Sequence, residues 1–150
     1  MADIKSAEER SKNMSKIRGS DTEPEIWLRK LLFSEGIRYK KNIRSLPGSP
    51  DLWIPKHNTA VFVHGCFWHR HRDCRFAYTP KSHVEFWKNK FEANIARDAR
   101  VCSELREKNI RVLIVWECTV KRMKQSEEEQ KKVIENILLF LESEEPMLEI

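Results

Sequence analysis

No stretch of this 150-residue chain approaches the roughly 20 consecutive apolar residues of a membrane helix. Its first residues also lack the apolar core of a secretory signal. Both absences lead to the expectation of a cytosolic protein. In that compartment the four cysteines, Cys66, Cys74, Cys102 and Cys118, read as thiols or metal ligands rather than disulfide halves. None of them belongs to a CxxC pair, so the commonest zinc-finger spacing is missing. Internal repeats are missing too, which excludes a repeat array.

What the chain does have is charge. Charged residues make up 34% of it, and 28 Lys+Arg against 23 Asp+Glu give a net charge of +5. The isoelectric point is about 9.1. A moderately basic surface suits a polyanion such as nucleic acid, although many ordinary proteins are equally basic. The length and the 40% hydrophobic content fit one domain with one core. Five tryptophans are many for this length, so at least one is available for contact rather than packing.

Residues 1–20, MADIKSAEERSKNMSKIRGS, are polar and rich in Lys and Arg. They read as a basic arm, either disordered or a short helix ordered by a partner. The folded domain is expected over 21–150. A first helix starts near Asp21 or Thr22, has Pro24 in its first turn and ends at Gly36, with Trp27, Leu28, Leu31 and Leu32 as its apolar stripe. IRYKKNI, DLWIP and TAVFVHG read as strands, with a turn-forming SLPGSP between the first two. A Cys/His-rich loop fills 65–81. The pair Ser82 and Glu85 predicts a capping box for a long helix whose stripe is Trp87, Phe91, Ile95, Cys102 and Leu105. RVLIVWEC is the most apolar strand, and Ser126 with Glu129 caps a last helix carrying Val133, Ile137, Leu138 and Leu141. This order predicts an α/β mixed sheet flanked by helices.

The chemistry concentrates in HGCFWHRHRDC, residues 64–74. Cys66, Cys74 and one imidazole on this loop, with Cys118 at the end of the apolar strand, suit tetrahedral zinc. His71 is the candidate imidazole and His69 its competitor. Cys102 falls on the helix stripe and reads as core. Asp51 opens a strand next to the one ending at His64, an arrangement that suits Mg²⁺ in phosphodiesterases; a turn or cap role after Pro-Gly-Ser-Pro is the alternative. Asp98 sits in the middle of an apolar stripe, where a carboxylate needs a donor. His64 or His69 could be that donor, and an Asp–His pair makes a usable base near neutral pH. Phe67 and Trp68 are either core or a contact surface on a stiff loop.

Five segments resemble the very-short-patch-repair (Vsr) DNA mismatch endonucleases: SKNMSKIRGSDTEPE, LPGSPDLWIP, VFVHGCFWHRHRDC, FWKNKFEANIARDARV and IRVLIVWEC. The resemblance spans about residues 11–118. It implies a restriction-endonuclease-like fold related to the PD-(D/E)xK nucleases, with a zinc-stapled loop. It also implies an Mg²⁺-dependent nick 5′ of the T in a T:G mismatch left by deamination of 5-methylcytosine, leaving 5′-phosphate and 3′-hydroxyl. By the same resemblance Asp51 binds Mg²⁺ and His64, His69, Asp98 and Glu25 are catalytic. Cys66, His71, Cys74 and Cys118 are zinc ligands, and the Val63 main chain could be a further Mg²⁺ ligand. Phe67, Trp68 and Trp87 would insert beside the mismatch, with Met14, Lys12, Lys16 and Arg18 of the arm on DNA. Expected partners are T:G-containing duplex DNA, mismatch-repair proteins and a cognate cytosine-5 methyltransferase system. The protein would be a monomer acting at the nucleoid of a bacterial cytoplasm. Two departures stand out. Phe62-Val63-His64 occupies the place of the acid-x-Lys motif of the wider nuclease group, leaving proton transfer to histidines. HRHRDC is one residue longer than the shortest form of the family's loop, which bears on His71 against His69.

Overall fold

A computed structural model of the chain describes residues 21–150. The expected arm, with Lys12, Met14, Lys16 and Arg18, lies outside the described residues. In chain order the elements are α1 (Glu23–Ser34), β1 (Lys40–Lys41), β2 (Leu52–Ile54), β3 (Thr59–His64), α2 (Val84–Glu107), β4 (Arg111–Trp116), α3 (Glu117–Gln125), α4 (Glu127–Glu142) and β5 (Met147–Glu149). The strands form one open mixed sheet in the order β1-β2-β3-β4-β5. β1–β2 and β2–β3 pair antiparallel, while β3–β4 and β4–β5 pair parallel. Among the described residues no helix is long and apolar enough to cross a membrane.

β3 and β4 form the centre because their sequences, TAVFVH and RVLIVW, are β-branched and apolar on both faces. Side chains alternate across them. Val61, Leu113 and Val115 point to one side, where Leu28 and Leu32 of α1, Val120 and Met123 of α3 and Ile137 and Leu141 of α4 cover them. Ala60, Phe62, Val112, Ile114 and Trp116 point to the other, against Leu105 of α2. The result is three layers with the sheet between α2 and the other helices. His64 is buried and, by the same alternation, shares the α2 side with Trp116. That placement determines where the site can form.

Several local expectations are corrected. IRYKKNI forms a regular strand only at Lys40–Lys41, and the Asn42 and Ile43 amides carry the pairing on irregularly to the carbonyls of Asp51 and Pro50 at 3.0 and 3.2 Å. Ser82 and Glu85 form no capping box: His83, at φ 54°, turns the chain into the left-handed region and the helix begins two residues after Ser82 without a side-chain cap. Ile95 is 51% exposed and stands off the face that α2 packs on the sheet. Leu138 is also exposed, and Ile134 and Phe140 take its place in the core. Cys118 does not end β4; it lies in the first turn of α3, an element that the strand-to-loop reading missed along with β5. Ser126 does cap the last helix, its hydroxyl accepting from the Glu129 amide at 3.2 Å.

Leu113 is fully buried between Val61 and Leu148 at the centre of the sheet. Leu113→Ala is expected to cost about 2–5 kcal/mol, read as a shift in urea midpoint at unchanged slope.

Candidate active site and metal centre

A cleft of about 600 Å³ opens at the end of β3, between α2 and the start of α1. Its lining includes Glu25, Asp51, His64, Trp68, His69 and Asp98. Asp51 reaches it because Pro50 and Asp51 end the loop that antiparallel pairing lays beside β3. The Val63 amide donates to Asp51 Oδ2 at 2.7 Å. The loop approaches α2 closely at Gly48, where φ is +75° and an added Cβ would fall 2.4 Å from a Val101 methyl. A side chain there would push the loop, and Asp51 with it, out of place.

Asp51 is an expensive carboxylate. Burial pushes it up to about 7, and repulsion from Glu25 adds to this, against the Val63 amide and the Arg29 guanidinium. Glu25 is itself buried and accepts from the Asp21 amide at 2.8 Å. Arg29, one helical turn after Glu25, is buried and reaches Asp21 Oδ1 at 2.7 Å. Two carboxyls facing one another over an open cleft suit a hard, oxygen-seeking cation, which would relieve their repulsion.

The histidines divide into two groups. His69 Nδ1 lies 2.7 Å from Asp98 Oδ2, with both side chains 23% exposed. An ionised carboxylate only accepts, so Nδ1 carries a hydrogen, and in the neutral ring this leaves the lone pair on Nε2. Burial pulls Asp98 upward, but the His69 hydrogen bond and the neighbouring charges outweigh it and leave the carboxyl below its ordinary value. His64 stacks on His69 with ring centroids 3.9 Å apart and 4° between planes. Burial, helped by His69, pushes His64 down to about 3, so it is neutral at physiological pH.

His71 goes the other way. Ligand atoms of Cys66, His71, Cys74 and Cys118 all lie within 4.8 Å of one another. A tetrahedral ion with bonds of about 2.0–2.3 Å spaces its donors by about 3.3–3.8 Å, so small adjustments close this set around one ion. Cys118 Sγ and His71 Nδ1 are already 3.4 Å apart. Burial pushes the Cys66 thiol up to about 12. Three clustered thiols with an imidazole, otherwise costly to bury, fit a soft divalent cation. Cys102 stands outside this set and packs partly against the α2-side core.

Phe67 and Trp68 do not stand free. Phe67 packs edge-on against Trp68, Trp87 and Phe91 at 5.0, 5.5 and 5.3 Å. Both rings are half-buried, whereas Tyr78 beside Phe67 and Phe86, which meets Trp87 edge-on, are 63% and 59% exposed. Two participants escaped the sequence reading. Glu117 and Arg97 both line the cleft. Arg97 adjoins Asp98, which could have marked it; Glu117 sits in the α3 turn that was not foreseen.

A cleft that holds buried carboxylates beside an Asp-oriented histidine has the parts of a metal-assisted hydrolytic site. A family profile described as "DNA mismatch endonuclease Vsr" matches residues 2–75. The chain is 42% identical over 121 residues to the "DNA mismatch endonuclease Vsr" of Escherichia coli K12, covering 81% of this chain and 77% of that protein. It is 39% identical over 137 residues to the "Type II nicking enzyme V.NmeAIP" of Neisseria meningitidis serogroup A, covering 91% and 97%. With the "Type II nicking enzyme V.XorIIP" of Xanthomonas oryzae pv. oryzae it shares 43% over 118 residues, covering 79% and 86%. The chain belongs to the Vsr family of DNA mismatch endonucleases.

The raised Asp51 pKa has a stability consequence. In the folded chain Asp51 holds its proton up to about pH 7, whereas unfolded it releases it near 4. Between these values the folded state binds more protons, so stability falls as pH rises through the window. Asp51→Asn is therefore expected to stabilise the protein at pH 8, by about 2–4 kcal/mol in buffer without added divalent cation. The gain should shrink toward pH 5, as measured by urea unfolding at both pH values.

Proposed function

We propose that this protein nicks one DNA strand 5′ of the T in a T:G mismatch left by deamination of 5-methylcytosine and so initiates very short patch repair. The observation carrying this reading is the meeting of Asp51, His64, His69 and Asp98 in one cleft of a Vsr-family chain. The relatives' descriptions as mismatch endonuclease and nicking enzymes support a single-strand cut. A central mixed sheet with its acid at the edge of β2 is compatible with the restriction-endonuclease fold type.

Magnesium held at Asp51, with the Val63 main chain as a further donor, would polarise the scissile phosphate and offset charge on the departing 3′-oxygen. The chain's own groups do the rest. His69 Nε2 accepts a proton from the attacking water while Asp98 holds the ring and stabilises the imidazolium. His64 stays neutral and donates a hydrogen bond to the phosphate or water, and its stacked ring keeps His69 from turning. Glu25 lies beside Asp51 and shapes the cation site. The water oxygen would bond to phosphorus as the P–O3′ bond breaks, and a proton from solvent would go to O3′, leaving 5′-phosphate and 3′-hydroxyl. Zinc on Cys66, His71, Cys74 and Cys118 would hold the loop that carries His69. Phe67, Trp68 and Trp87 would stack beside the mismatch, a step that costs less to open than a paired one. Lys12, Met14, Lys16 and Arg18 would contact DNA from the arm.

A supercoiled plasmid with one T:G mismatch should become a nicked circle in magnesium and stay intact in EDTA. Linear product would point instead to double-strand cleavage. Asp51→Asn should remove nicking, by at least about 10³-fold, while affinity for the T:G duplex stays near wild type. Near-normal turnover by that variant would remove Asp51 from the mechanism.

Metal analysis should find about one zinc per chain. Cys74→Ser and Cys118→Ser should each lose the metal and lower the melting temperature. Cys102→Ser should do neither.

A further inference from the structure

Trp116 ends β4 and is almost fully buried. One face of its indole lies flat under His71, with ring centroids 4.1 Å apart and 9° between planes. The same indole meets His64 edge-on at 5.3 Å and 73°. Trp116 thus touches one histidine from each of the two clusters. His64 in turn stacks on His69, the partner of Asp98. An unbroken line of rings therefore runs from the thiol cluster to the proposed base.

The indole is itself held from the other side. Its Nε1–H donates to Glu149 Oε1 at 2.8 Å. Glu149 lies on β5, the short edge strand at the end of the chain. The main chain adds a second tie, the Trp116 amide donating to the Ile150 carbonyl at 2.9 Å. Indole is donor-only, so Glu149 meets the one hydrogen-bond demand of the buried ring and ties its orientation to β5. Glu149 itself is exposed, so its side chain can be changed without opening a cavity.

We propose that Trp116 is a positioning residue, clamped by Glu149, that holds the His71 ring for the metal and the His64 ring for the reaction at once. The C-terminal strand would then act as a latch on both centres. This rests on the metal-site and endonuclease readings above. The physical reason is that a ligating imidazole is only as well oriented as the groups around it, and loss of such outer support costs metal affinity by about 10–100-fold. A stacked platform orients a ring in the way a hydrogen bond to its second nitrogen would.

The test compares metal-loaded wild type with Glu149→Ala, Glu149→Gln and Trp116→Phe. Three quantities are read: the rate of metal transfer to a chromophoric chelator, the melting temperature after metal removal, and kcat and KM on a T:G duplex. Glu149→Ala should release metal about tenfold faster. Its kcat should fall severalfold at unchanged KM, and its metal-free melting temperature should match wild type. Glu149→Gln, whose amide oxygen still accepts from the indole, should restore most of both losses. Trp116→Phe keeps a ring but no donor, and should resemble Glu149→Ala in metal release. Wild-type release and kcat in Glu149→Ala would overturn the proposal. So would a lowered metal-free melting temperature that Gln fails to rescue, since that marks a merely structural role. A wild type isolated without metal would overturn the metal-site reading and this proposal with it, whereas a loaded wild type with an unaffected Glu149→Ala overturns this proposal alone.

Discussion

The parallel pairing of β3 with β4 is the constraint on which the rest depends. Its register sets His64 opposite Trp116 at the C-terminal ends of both strands. From there the two chains continue directly into Cys66 and Cys118, so the same pairing brings the thiols together. Strand alternation has a period of two, and a slip of one residue would turn His64 and Trp116 to the opposite face. Such a slip would also part Val61 from Leu113, which are now fully buried together on one face, and set one of them against the wrong helix layer. The hydrophobic cost of the wrong register therefore protects the site, and Cys66, Trp116 and Cys118 themselves belong to the core on the α2 side.

That core must tolerate an electrostatic conflict at its edge. Asp51 is crowded against Glu25 in a region that disfavours the Asp51 charge, and Arg29 compensates only in part. His64 is held neutral by the same burial. The two groups act on stability in opposite directions with pH. His64 binds a proton more readily when unfolded, so it removes stability as pH falls below its ordinary value of 6.5. Asp51 removes stability as pH rises toward 7. A site of this kind is least comfortable without its ligands, the common condition of groups arranged for a charged substrate and a cation.

Much of this was legible in the sequence, for reasons that differ by residue. The central strands announced themselves through β-branched runs, and α1, α2 and α4 through 3–4-residue spacing of apolar side chains. The thiols and imidazoles of residues 64–74 were conspicuous by type. What sequence could not separate was His69 from His71, because two residues two apart in a loop carry no period. Nor did it show α3, whose stretch ECTVKRMKQ begins inside an apolar strand pattern and buries Cys118, Val120 and Met123 only through tertiary contact. β5 is three residues long, and its pairing with β4 is a long-range event with no local signal. The Ser82 capping box failed for a similar reason. Loop geometry at His83 overrode a sound local motif.

The separation of His69 from His71 has a visible cause in the residue between them. Arg70 adopts φ 56°, in the left-handed region that non-glycine residues enter at some cost. The turn sends consecutive histidines to opposite sides of the loop, His69 to Asp98 and His71 to the thiols. The Arg70 side chain offsets that cost. Its guanidinium donates to the carbonyls of Phe67, Tyr78 and Ala77 at 3.2, 3.0 and 2.8 Å, and it lies 3.9 Å over the Phe91 ring. Planar donors in a fixed fork satisfy several carbonyls at once, which lysine could not do. Arg70 thereby stitches the Cys/His loop, the following Tyr78 segment and α2 into one unit. The histidine pair and the thiol cluster can sit on a single short loop without competing for each other's ligands because this one residue divides them.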